Sequence, residues 1–229
     1  TRGIANPRPP ATINQSTVNP PKPSTPFIDI EQVYAIGAML ASLMIGTSLV
    51  PGLLAEEKEK KTLRMLMVSP ASFADVVLAK LLVGFGYQFV LALVALAITG
   101  GFNGTQIPLL LLFALLGSFL SVAVGLLVGS IVNTTSAAGA FSGVISFLYI
   151  LPLFFVGPFA QLLGSNTFTQ LMKVVPTYYV GDGTANAVLN SSTLGSVLLD
   201  VGVIVGTVIV LVLLASWMLR RQASMVSVI

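Results

Sequence analysis

The chain has 229 residues, 55% of them hydrophobic and only 8% charged, with a mean hydropathy of +0.95. That exceeds the roughly 45–50% apolar content of soluble domains, several runs reach the roughly 20 residues that cross a bilayer, and the alternation of an outer-membrane barrel is absent, so composition specifies an all-α polytopic membrane protein. With no cysteine and no histidine, disulfides, a thiol nucleophile and the usual metal ligands and general base are excluded, and the net charge of +3 lies mostly beside membrane segments, which does not imply nucleic acid.

Residues 1–30 are rich in Pro, Asn, Ser and Thr. They have little apolar surface to bury and read as an extracytoplasmic tail or loop end. The chain starts at Thr1 without a signal-peptide pattern, as the later portion of a longer protein would. The transmembrane domain is expected over 31–229. Its first span is predicted over 33–54, interrupted near its end by Pro51-Gly52.

Six consecutive charges follow, Glu56 to Lys61. In hydrocarbon each would cost roughly 2.5–3.5 kcal/mol, about 15–20 kcal/mol together, so the run lies outside the bilayer. Acids and bases are mixed where a topology anchor needs only Lys and Arg, which suggests a docking surface for another protein. The plainer reading is a solvated loop with weak i,i+4 pairs. Leu63, Leu66 and Met67 recur at helical spacing, predicting a short amphipathic helix along the membrane surface that stops at Ser69-Pro70. The whole segment 55–80 is expected on one side of the membrane.

The second span is predicted over 81–99, with a glycine-rich turn after it. The third, 108–132, carries Gly117, Ser121, Gly125 and Gly129. Their spacing of four makes a smooth stripe where another helix can approach closely, within the bundle or at a subunit interface. The fourth span is predicted over 137–157. Residues 158–193 are broken by Pro and Gly and only moderately apolar, so short external helices or a shallow re-entrant hairpin fit them better than a span. The last span, 195–219, ends in Trp217 and the basic pair Arg220-Arg221.

Seven of the eleven Lys and Arg residues fall in 55–80 and at the C-terminus. The positive-inside rule therefore puts both in the cytoplasm and, across five spans, the N-terminal tail outside. No G-x-x-x-x-G-K-[ST] occurs, so the chain does not hydrolyse ATP by that route. The first four spans hold no charge, and Asp200 is expected to be a solvated acid near the outer end of the last. No protease constellation can be assembled. What remains is a non-enzymatic membrane scaffold with a charged handle.

The stretch Glu57-Lys58-Glu59-Lys60-Lys61-Thr62-Leu63, then Met67-Val68-Ser69-Pro70, then Ala79-Lys80 resembles the signature of ABC exporter permeases of the second type. That signature is an E-x-E-x-G-T-L run, an S-P and a (Gly/Ala)-Lys. Glu57, Glu59, Thr62, Leu63, Ser69, Pro70 and Lys80 match, while Lys61 replaces the usual glycine and Arg64 the frequent acid. Pro176, Tyr178 and Tyr179 resemble the external segment before the family's last span. The resemblance implies a multi-pass subunit of the cell membrane with six spans, of which the second to sixth are present here. It also implies a second permease copy, identical or different, and a separate cytoplasmic ABC ATPase carrying ATP-Mg, onto which Glu57, Glu59, Thr62, Leu63, Leu66, Met67, Ser69, Pro70 and Lys80 would couple. A membrane-anchored assembly protein is the alternative, and a secondary carrier the third.

Overall fold

The computed structural model describes residues 30–60, 73–103, 106–156 and 167–226. Among these all regular structure is helical, as an all-α polytopic chain requires.

Helix α1 (Ile30–Glu59) continues through Pro51 and on into the charged run. Proline has no N–H to offer the carbonyl four residues back, which here is Thr47. In hydrocarbon that carbonyl must find another donor. Ser142 supplies it, its Oγ donating to the Thr47 carbonyl at 3.2 Å from a neighbouring helix. Helix α2 (Phe73–Ile98) begins before the predicted span, so Lys80 lies two turns inside it.

Helix α3 (Ile107–Ile131) has Pro108 in its first turn, where the missing N–H would be unused anyway. Helix α4 (Thr135–Ile150) is capped by Thr134, whose hydroxyl accepts from the Ala137 N–H. It is shorter than the predicted fourth span, because the chain tightens to a 3-10 helix over Leu151–Phe155, around Pro152. Two short helices follow, α5 (Thr167–Met172) and α6 (Thr177–Leu189). Asn190 then takes a left-handed conformation (φ 53°), its N–H bonding back to the Asn186 carbonyl. Helix α7 (Leu194–Val226) closes the described chain.

Among the described residues four segments are long and apolar enough to cross a membrane, Val33–Glu59, Leu78–Ile98, Ile107–Ile131 and Leu194–Leu219, and Thr135–Tyr149 is a shorter apolar helix. Helix α3 is the axis, packing on α1, α2, α6 and α7, and α1 packs in turn on α2, α4 and α6. At one end of the bundle Ile36, Met39, Phe113, Val180 and Ile204 form the core. At the other, Val50, Leu54, Leu126, Ala215 and Leu219 do so.

The stripe on α3 faces α1. An added Cβ at Gly125 would lie 3.1 Å from Val50 Cβ and 3.2 Å from the Gly46 carbonyl, and one at Gly129 only 2.6 Å from Leu54 Cδ1. Lipid supplies little hydrophobic drive between helices, so such close packing is the main attraction available. Many apolar side chains are left exposed, among them Val90 on α2, Val144 and Phe147 on α4 and Leu213 on α7, as helices surrounded by hydrocarbon require.

Helix α6 does not lie on the surface. It inserts against α1, α3 and α7, burying Thr177, Val180, Thr184, Ala185 and Ala187. Gly183 sits directly on the Phe113 ring, with no room for a side chain between them.

Candidate functional site

The last residues of α1 project from the bundle end where α2 and α4 begin and α3 stops. Successive helical positions are turned by about 100°, so neighbouring charges reach different helices. Glu57 pairs with Lys80 of α2 at 2.5 Å, both side chains mostly buried. Lys58 Nζ donates to the carbonyls of Gly129, Ser130 and Val132 at 2.9, 2.9 and 2.8 Å. Carbonyls in the last turn of a helix have no partner within it, and the dipole makes that end negative. One ammonium, with three donors, therefore closes the C-terminus of α3.

Glu59 does the reciprocal work on α4. Its carboxylate accepts from the Thr135 N–H and hydroxyl, both at 3.1 Å, at the positive end of that helix. Glu56 and Lys60 form an exposed i,i+4 pair at 2.5 Å, which contributes little. The Glu57–Lys80 pair also forms the polar end of a cleft of about 240 Å3 between α1 and α2, lined by Val50, Leu53, Leu54, Ala79 and Val83.

Of the residues singled out in the sequence, the structure thus brings Glu57 and Lys80 together and joins Glu59, at the end of α1, to the start of α4. Thr62, Leu63, Leu66, Met67, Ser69 and Pro70 lie outside the described residues. Pro176 precedes the first turn of α6. Tyr178 and Tyr179 meet edge to face, ring centroids 5.6 Å apart, and pack against the core. The Tyr178 hydroxyl is pushed up to about 12, first by burial and then by the charges of Asp182 and Asp200. Burial also raises the Asp182 carboxyl, opposed by a hydrogen bond from Asn186 and the charge of Lys173.

Asp200 corrects the sequence reading. It is 3% exposed, not a solvated interfacial acid, because α6 packs over the start of α7. Nothing in the residue pattern signals that cover, since α6 is too short and polar to stand out.

Two further groups escaped sequence reasoning. In the sequence Lys58 is only one member of a charge run. Gln88, the single side-chain amide in 81–99, is 1% exposed and donates to the Ser42 carbonyl at 2.8 Å, while its Oε1 has no partner. Beside it Ser121 Oγ donates to the Leu43 carbonyl at 2.6 Å. Gly46 leaves the room both side chains occupy. A lone amide in an apolar span was the available signal.

A family model described as ABC-2 family transporter protein matches residues 5–217. No curated protein and no solved structure gave a match.

Proposed function

The chain belongs to the ABC-2 family of transporter proteins, and on that premise we propose that it is the membrane subunit of an ATP-driven exporter, powered by a separate cytoplasmic ATPase. A family match over nearly the whole chain supports a transport permease, and in this reading the chain carries no enzymatic step of its own. In the finer reading it forms the translocation path with a second permease copy, identical or different. ATP-Mg is bound and hydrolysed on the partner, and the contact runs through the segment between α1 and α2.

The observation that supports this most is the segregation of charge. Lys58, Lys60 and Lys80 gather at one end of the bundle, and Arg221 stands over the Trp217 ring near the same end of α7, 5.5 Å from its centroid. Among the described side chains only Lys173 carries positive charge elsewhere. Positive-inside makes the charged end cytoplasmic, where an ATPase would meet it. Among the described residues the spans hold no acid–base pair between the two ends of the bundle, whereas carriers coupled to protons or ions usually keep such groups in mid-membrane.

The test is co-purification from the native membrane in mild detergent, with Leu66→Cys as the cross-linking site. The chain has no cysteine, so the background is clean. A P-loop ATPase in the eluate, cross-linked through position 66, is the expected result. Recovery of the chain without any ATPase, and without cross-link, would favour an assembly protein.

A further inference from the structure

We propose that Glu57, Lys58 and Glu59 form a transmission hub, three consecutive positioning residues that fasten α2 two turns past its start, the end of α3 and the start of α4 to α1 so that the four move as one body. The inference deepens the exporter reading and rests on it. It changes what the two acids do, since their partners lie within this chain.

Each arm holds a different element. Glu57 reaches Lys80 on α2, Lys58 reaches the last carbonyls of α3, and Glu59 reaches the first N–H of α4. The signs are matched to the ends they meet, cation on the negative terminus and anion on the positive one. Lys58 uses all three of its N–H donors, and its partners lie 71 to 74 residues away in sequence. Letting go would strand a half-buried ammonium and three helix-end carbonyls together, a cost that grows in a poorly solvated site.

The turn between α3 and α4 is therefore held from both sides by adjacent residues of α1. Any displacement of the charged end of α1 carries that turn with it. Coupling between distant sites needs rigid elements that both sites bias, and the hub supplies the rigid joint. Gly129 favours that geometry, because an added Cβ would lie 2.6 Å from Leu54 Cδ1 and 3.1 Å from Pro51 Cα, in the turn of α1 that precedes Lys58.

The experiment uses the full chain with its co-purified ATPase in nanodiscs, spin-labelled at Ser136→Cys in the first turn of α4 and at Ser191→Cys beyond α6, both exposed sites. Nucleotide is trapped with ATP and vanadate, and the label distance and the trapped nucleotide are both measured. Trapping should shift the distance in the parent protein. Lys58→Met should trap as much nucleotide and lose the shift, and Lys58→Arg, which keeps the charge and the donors, should restore it. Glu57→Lys should lose the shift, and the double exchange Glu57→Lys with Lys80→Glu should regain it, a rescue that also answers misfolding of either single variant. An unchanged shift in Lys58→Met at equal trapping overturns the hub and leaves the exporter reading standing. Absence of trapped nucleotide in the parent protein overturns both.

Discussion

At Gly46 an added methyl group would meet Gln88 Oε1 and Ser121 Oγ, two oxygens crowded over the backbone of α1. Both side chains are buried and bond to successive α1 carbonyls, those of Ser42 and Leu43. Neither can retreat without breaking a bond to α1. Gly46→Ala should therefore lower stability by about 1–3 kcal/mol, the usual cost of overpacking. At Gly37 a Cβ would meet nothing within 4 Å, so Gly37→Ala should be neutral or gain from alanine's better helix propensity. Thermal unfolding of the two variants in one detergent compares them directly. Equal stability would mean that the polar group yields and that its packing does not fix the contact of α1 with α2 and α3. Nothing in the sequence names the partner of Gln88. A carbonyl 46 residues away carries no signature in the residue types, because every residue has one.

The helices pair through two devices, one written in residue types and one not. The stripe on α3 was legible because a spacing of four is helix geometry itself, and Gly117, Gly125 and Gly129 do meet Met39, Val50 and Leu54. Gly125→Leu should split α1 from α3 and lower folded yield, whereas Gly139→Leu, on the open face of α4, should not. Similar losses at both sites would mean that leucine itself, not the α1–α3 contact, is at fault. The second device joins α1 to α4 through the carbonyl that Pro51 leaves unbonded. Ser142→Ala removes the donor to Thr47, and a hydrogen bond between membrane helices contributes roughly 0.6 kcal/mol, with a maximum near 1.7. Pro51→Ala restores a backbone N–H in the right place. The loss from Ser142→Ala should then shrink in the Pro51→Ala background, and a double-mutant cycle of unfolding midpoints reads the coupling. Additive losses would show that Ser142 does not serve that carbonyl. Pro51 was plain in the sequence, but which helix would answer it was not.

As a whole the molecule has two unlike ends. Val50, Leu54, Leu81, Leu126 and Leu219 pack beneath the charged cluster at one, while α6 fills the other between α1, α3 and α7. The first was legible because charge is expensive in hydrocarbon and can be located by exclusion. The second was not, because α6 is moderately polar, rich in glycine, and buried only by what other helices bring to it. Its cover over Asp200 likewise depends on tertiary packing, which a span of apolar residues does not encode. The asymmetry makes a direct prediction for orientation. Lys60 and Ser191 are both exposed and lie toward opposite ends, and no native cysteine competes. In intact cells a cysteine at 191 should react with a membrane-impermeant thiol reagent, and one at 60 should react only after the membrane is opened. The positive-inside bias rests on seven residues against four, of which Lys58 and Lys80 are committed to internal partners. Replacing Lys60 and Lys61 by Gln should therefore leave the hub intact while weakening the bias, producing a fraction of chains labelled at position 60 from outside. If orientation holds fully without those two lysines, the bonded cations, Arg64 and the C-terminal arginines suffice to set it. Labelling of position 60 in the unmodified background would invert the molecule and put the hub on the wrong side for a cytoplasmic ATPase.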